Sequence, residues 1–149
     1  MGISSEATND NSIDAVLLKH CCVLLVEDYP ANVLVATTYL DNFGYEYEVA
    51  RDGEEALYKV KTGKRYMAIL MDIEMHGMNG FETTKLIREY EKQTCVPYTP
   101  IIGMTAHALT GDRERCLAAS MNDYLAKPFN PDQLEMKLFL AKDVLIKSI

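Results

Sequence analysis

From residue 21 onward, short apolar runs alternate with longer stretches whose apolar residues recur every three or four positions. Cys22-Val23-Leu24-Leu25-Val26 is an unbroken apolar run, as expected of a strand buried on both faces. Pro30 suits the first turn of a helix, Val33, Ala36, Leu40 and Phe43 follow at helical spacing, and Gly44 ends the segment. Tyr45 to Ala50 reads as a second strand with polar residues interleaved, and Asp52 as the cap of a helix carrying Ala56, Leu57 and Val60 that stops before Gly63. Met67 to Met71 is the third strand, followed by a helix from Gly80 or Phe81 with Phe81, Leu86, Ile87 and Tyr90. Pro100 to Met104 is the fourth strand, and Gly111 to Ser120 a helix with Cys116 and Ala119 on one side. Tyr124 to Ala126 is a short fifth strand. Pro131 opens the last helix, with Leu134, Leu138, Ala141 and Leu145 on its buried stripe.

Five strand–helix alternations predict an α/β fold. Its parallel strands are joined by right-handed crossovers, with helices on both faces of the sheet. Such a doubly wound sheet binds its ligands at the carboxyl ends of its strands.

The chain has 149 residues, 48% hydrophobic and 25% charged, which fits one soluble domain. Residues 1–20 are mostly small and polar and read as a linker or an expression remnant, with a short helical turn near Ile13 to Leu18; the domain is expected over 21–149. The net charge of −7 argues against direct nucleic-acid binding, which needs basic patches. No run approaches 18 consecutive apolar residues, and no signal peptide is apparent, so a cytoplasmic chain without membrane contact is expected. Cys21, Cys22, Cys95 and Cys116 form no C-x-x-C pair, which fits a reduced compartment.

The strand ends carry the chemistry. Strand one runs into Glu27-Asp28, strand three into Asp72, strand four into Thr105 and strand five into Lys127-Pro128. All of these are expected to project into one crevice. Three carboxylates about 4 Å apart repel by on the order of 4 kcal/mol per pair at an effective dielectric of roughly 20. One lysine does not balance that. Either their pKa values rise or a divalent cation binds. The donors are hard oxygens, which suits Mg²⁺ or Mn²⁺. A carboxylate can also form an acyl phosphate, with a metal and a lysine neutralising the transferring group. On this reading Asp72 is the acceptor, Glu27 and Asp28 hold the metal, and Thr105 and Lys127 contact the phosphoryl group.

The segments VLLVEDYPANVLVATTYLDNFGY, MDIEMHGMNGFETTKLIRE, PIIGMTAHAL and CLAASMNDYLAKPF, which span about residues 21–140, resemble the receiver domain of two-component response regulators. They are most like receivers of hybrid sensor histidine kinases. The resemblance implies a flavodoxin-like (βα)5 sheet of order 2-1-3-4-5. It implies that Asp72 accepts a phosphoryl group from a phosphohistidine on a histidine kinase or a histidine phosphotransfer protein. Mg²⁺ would be held by Asp28, Asp72 and the backbone carbonyl of Glu74, with Glu27 acting through water. Thr105 and Tyr124 would be the switch pair, Lys127 would pair with a phosphoryl oxygen, and Lys127-Pro128 would be cis. The surface of helix four, strand five and helix five is then a candidate partner or homodimer face. The domain is expected to be a signalling switch that promotes its own phosphotransfer and dephosphorylation, not an enzyme turning over a substrate.

Three positions depart from the family pattern: His76 for a usual proline, Tyr29 for a frequent asparagine, and Ser120 for a frequent glycine. His76 lacks the fixed φ of proline and should loosen its loop. His107 reads as a solvated loop residue near the site. Two rivals are an aspartyl-nucleophile phosphatase of the haloacid dehalogenase type and a degenerate receiver that only binds partners. The first needs D-x-D after strand one, whereas here the motif is Asp72-Ile73-Glu74 after strand three. No DNA-binding segment follows the last helix, so the chain is expected to be a stand-alone regulator or a receiver from a longer kinase.

Overall fold

The predicted strand segments become five parallel strands: β1 (Cys22–Val26), β2 (Glu46–Ala50), β3 (Ala68–Asp72), β4 (Ile101–Thr105) and β5 (Asp123–Ala126). The computed structural model describes residues 22–107, 111–128 and 130–147, with side chains given through 144. The helices are α1 (Pro30–Phe43), α2 (Gly53–Lys61), α3 (Gly80–Thr94), α4 (Asp112–Ala118) and α5 (Pro131–Lys147). The expected tail and helical turn at residues 1–20, Cys21, and the Leu145 side chain lie outside the described residues.

Strand order is β2-β1-β3-β4-β5, all neighbours parallel. The order follows burial. β1, β3 and β4 are buried along their whole length and take the centre, whereas β2 and β5 carry partly exposed residues and take the edges. The pleat divides each strand between two cores. Val23, Leu25, Leu70, Ile102 and Met104 pack against Ala36 and Leu40 of α1 and Leu134, Leu138 and Ala141 of α5. Leu24, Val26, Ile69, Met71 and Ile101 pack against Ala56 and Val60 of α2, Phe81 and Ile87 of α3, and Cys116 of α4. Full burial of one such side chain is worth about 1.5–3 kcal/mol, so the two layers fix the register of every strand.

Local signals set the helix ends. Asp52 caps α2 by accepting from the Glu55 N–H at 2.7 Å, and Gly44 closes α1 at φ 83°. α3 begins at Gly80, capped by the Asn79 side chain accepting from the Glu82 N–H at 2.9 Å. Leu86, expected with the apolar stripe of α3, is 36% exposed; the inner face instead holds Thr83, Thr84, Ile87, Arg88 and Glu91. Arg88 is the reason that charged pair can be buried. Its guanidinium donates to Glu91 Oε1 (2.7 Å), the Thr99 carbonyl (2.8 Å), the Ser120 carbonyl (3.0 Å) and Asn122 Oδ1 (2.9 Å), tying α3 to the segments that lead into β4 and β5.

Candidate functional site

The order 2-1-3 reverses direction between β1 and β3, and the carboxyl ends of those strands open a cleft of about 240 Å³. Glu27 follows β1 on the same pleat as Val23 and Leu25, and Asp72 ends β3 on the same pleat as Leu70. Both therefore face the α1/α5 side. Lys127 follows β5 in step with Leu125 and reaches the same space. Its ammonium donates to Glu27 Oε2 and to Asp72 Oδ1, each at 2.9 Å. The Lys127-Pro128 bond is cis, as the resemblance implied.

Both carboxylates are almost wholly buried, Glu27 at 1% and Asp72 at 3% exposed. Each has further donors. Glu27 Oε1 accepts from the Tyr29 N–H (3.2 Å) and Asn32 Nδ2 (3.3 Å), and Asp72 Oδ1 accepts from the Glu74 N–H (3.3 Å). Asp28 sits at the mouth, half-buried, accepting from the His76 N–H at 3.3 Å. One carboxylate oxygen from each of Glu27, Asp28 and Asp72 lies within 4.8 Å of the others.

The charge balance is unfavourable, since three acids share one lysine. Burial pushes Asp72 up to about 6, the Glu27 charge pushes the same way, and the Lys127 and Glu74 hydrogen bonds pull against it. Burial alone would lower Lys127, but its bonds to Glu27 and Asp72 outweigh that and raise it. The cluster fits a hard divalent cation. Its donors are all oxygens, they converge, and their repulsion is only partly offset by the lysine.

Gly80 sets how closely α3 approaches this strand end. A Cβ there would lie 2.4 Å from the Asp72 carbonyl oxygen and 2.9 Å from Ile73 Cα, so no larger residue fits without moving the backbone beneath the acceptor. The Asn79 cap and Gly80 were not singled out from the sequence as site residues, although N-G before a helix is the signal that marks them. Asn32 and Ala106 also line the cleft and went unremarked, for neither residue type suggests chemistry.

Of the residues expected in one crevice, the structure brings together Glu27, Asp28, Asp72, Lys127 and the Glu74 backbone. The Thr105 hydroxyl is elsewhere. Asp72 pairs in register with Met104, so Thr105 falls on the opposite pleat, in step with Gly103. Its hydroxyl donates to Asp112 Oδ2 and accepts from the His107 N–H (2.9 Å). Counting strand ends ignored this alternation. Tyr124 shares that side of the sheet, half-buried against the α2–α4 core, with Lys137 Nζ 5.5 Å from its ring centroid. His107 is not simply solvated. Its Nε2 lies 2.7 Å from Glu74 Oε1, both side chains more than half exposed, which links the two loops at the mouth.

Comparison with known proteins gives the same assignment. The family described as response regulator receiver domain matches residues 23–139. Hybrid signal transduction histidine kinase B of Dictyostelium discoideum is 38% identical over 124 residues, which is 78% of this chain but only 6% of that protein. The receiver domain of the sensor histidine kinase PA1611 from Pseudomonas aeruginosa PAO1, solved with a magnesium ion in its active-site cleft, is 44% identical with a TM-score of 0.71; the match covers 80% of this chain and 94% of that one. The co-crystal structure of the Saccharomyces cerevisiae phosphotransfer protein Ypd1 with the receiver domain of Ssk1 matches at 31% identity and a TM-score of 0.74, covering 80% of this chain and 87% of that one. With the parallel β2-β1-β3-β4-β5 sheet and the acid–lysine cluster at the carboxyl ends of its strands, this chain belongs to the response regulator receiver domain family.

Proposed function

We propose that Asp72 is the phosphoacceptor of a two-component phosphorelay, taking its phosphoryl group from a phosphohistidine on a histidine kinase or a histidine phosphotransfer protein. One observation carries this reading. A carboxylate 3% exposed, held at 2.9 Å by a lysine and flanked by two further acids, opens into a cleft at the switch point of the sheet. A purely structural aspartate would be better placed in water or fully paired.

An Asp72 carboxylate oxygen attacks phosphorus, the P–N bond to the imidazole breaks, and its electron pair leaves with the ring. Lys127 already spans Asp72 and Glu27 and turns toward the added phosphoryl oxygens. Mg²⁺ or Mn²⁺, held by Asp28, Asp72 and the Glu74 carbonyl with Glu27 nearby, would supply neutralisation of the charge that builds on the transferring group. Thr105 leaves Asp112 to donate to a phosphoryl oxygen, and Tyr124 moves with it. The phosphoryl group adds about −1.5 to −2 charge to a cleft already short of cations, which is what biases the domain toward its second state. Hydrolysis of the acyl phosphate by the same residues resets the switch. Beside the cleft, Tyr29 is 60%, Leu34 68% and Val35 46% exposed, an apolar strip over the N-cap and first turns of α1 suited to docking the donor protein.

The test is to incubate the domain with Mg²⁺ and acetyl phosphate, or with a phosphorylated histidine donor. The expected product is an acid-stable, hydroxylamine-labile adduct. Wild type that labels no better than Asp72→Asn overturns the proposal. Turnover of a generic phosphate ester would instead favour a phosphatase.

A further inference from the structure

Asp112 is 4% exposed, among the most buried charged residues of the fold, and stands outside the acid cleft. It opens α4, and its carboxylate has two partners. Oδ2 accepts the Thr105 hydroxyl, and Oδ1 accepts from Arg115 at 3.3 Å. A threonine hydroxyl has one proton, so it donates to one acceptor at a time. While Thr105 donates to Asp112, it has nothing to offer a phosphoryl group on Asp72.

We propose that Asp112 is a positioning residue that holds Thr105 in the unphosphorylated arrangement and thereby sets how much of the population is ready to accept phosphate. The inference rests on the phosphoacceptor reading of Asp72 and Thr105 above. Two features suit a lock that must also open. Releasing Thr105 does not strand the Asp112 charge, because Arg115 remains its partner; that guanidinium is itself 4.6 Å from the Phe81 ring centroid and largely exposed, free to close in. Release also has a consequence at the cleft mouth. The Thr105 oxygen accepts from the His107 N–H, so when it swings away His107 loses that anchor, and with it the fixed position of its contact with Glu74. The hydrogen bond between Thr105 and the first residue of α4 is thus coupled to His107 and Glu74 at the cleft mouth.

The experiment is calorimetric titration of the domain with Mg²⁺ and beryllofluoride, a mimic of the phosphoryl group, on wild type, Asp112→Ala, Asp112→Asn, Thr105→Ala and the Thr105→Ala/Asp112→Ala pair, each first shown to be folded by circular dichroism. Removing a hydrogen bond to a charged acceptor from the resting state alone should tighten Asp112→Ala by about tenfold. Asp112→Asn keeps an oxygen acceptor and should fall between it and wild type. Thr105→Ala should weaken binding, and in that background Asp112→Ala should change nothing. An affinity for Asp112→Ala equal to or weaker than wild type, or the same gain with and without Thr105, overturns the lock. Thr105→Ala binding as well as wild type overturns the role of Thr105 and the lock with it, whereas no binding by wild type overturns the phosphoacceptor reading itself.

Discussion

The burden that Asp72 places on the fold can be measured. Its carboxyl is raised from the ordinary 3.8 to about 6, chiefly by burial. A raised acid destabilises the folded state once it ionises, because the folded chain holds the proton more tightly than the unfolded one. That rise corresponds to about 3 kcal/mol at pH 8, fully developed above pH 6. Below roughly pH 3 both states are protonated and the cost vanishes; near pH 5 about half remains. Asp72→Asn keeps an oxygen to accept from Lys127 and the Glu74 N–H but carries no charge. Lys127 loses one anionic partner, which offsets part of the gain. The variant should therefore be more stable than wild type by about 1–3 kcal/mol at pH 8, and by clearly less at pH 5. The assay is urea unfolding followed by circular dichroism, in chelator, at both pH values. Adding Mg²⁺ at about 100 times its Kd should then stabilise wild type by about 2.7 kcal/mol and leave Asp72→Asn nearly unmoved. A variant that is no more stable than wild type at pH 8, or whose gain is equally large at pH 5, refutes the electrostatic account of the cleft.

Gly80→Ala must displace backbone at Asp72 and Ile73, and is expected to cost about 1–3 kcal/mol in urea unfolding and to weaken Mg²⁺ binding as well. Arg88→Met leaves Glu91 buried without its cation and should cost about 3–5 kcal/mol in the same assay, while leaving the cleft chemistry intact in the folded fraction. Lys127→Ala removes the cation between Glu27 and Asp72; phosphoryl transfer, followed by labelling rate, should fall by about 10²–10³-fold, whereas Mg²⁺ still binds.

Much of the molecule was readable from patterning because burial decides it. The uninterrupted runs at β1, β3 and β4 are the strands covered on both faces, and the alternating Tyr45 to Ala50 run is an edge strand. The acids and the lysine at the strand ends were legible for the same reason, since a polar residue directly after a buried strand must surface at the crevice. What the chain order alone did not reveal was side-chain direction at the last residue. Asp72 and Thr105 both terminate strands, yet register pairs Asp72 with Met104 and sends Thr105 to the other face. Asp112 gave no signal, because an aspartate in the first turn of a helix is ordinary on dipole grounds. Its burial and its bond to Thr105 exist only once α4 is packed. Likewise nothing in the sequence pattern singled out Arg88 or Glu91, and only the convergence of Thr99, Ser120 and Asn122 makes their burial tolerable.

The central claim is that a buried carboxylate in this cleft carries the phosphoryl group. The direct measurement is to phosphorylate the domain in Mg²⁺, reduce the acyl phosphate with borohydride, and locate the modified residue by mass spectrometry. The account predicts homoserine at position 72 and at no other acidic residue. Modification at Glu27 or Asp28 instead, or none at all under conditions that label another receiver domain, would contradict it.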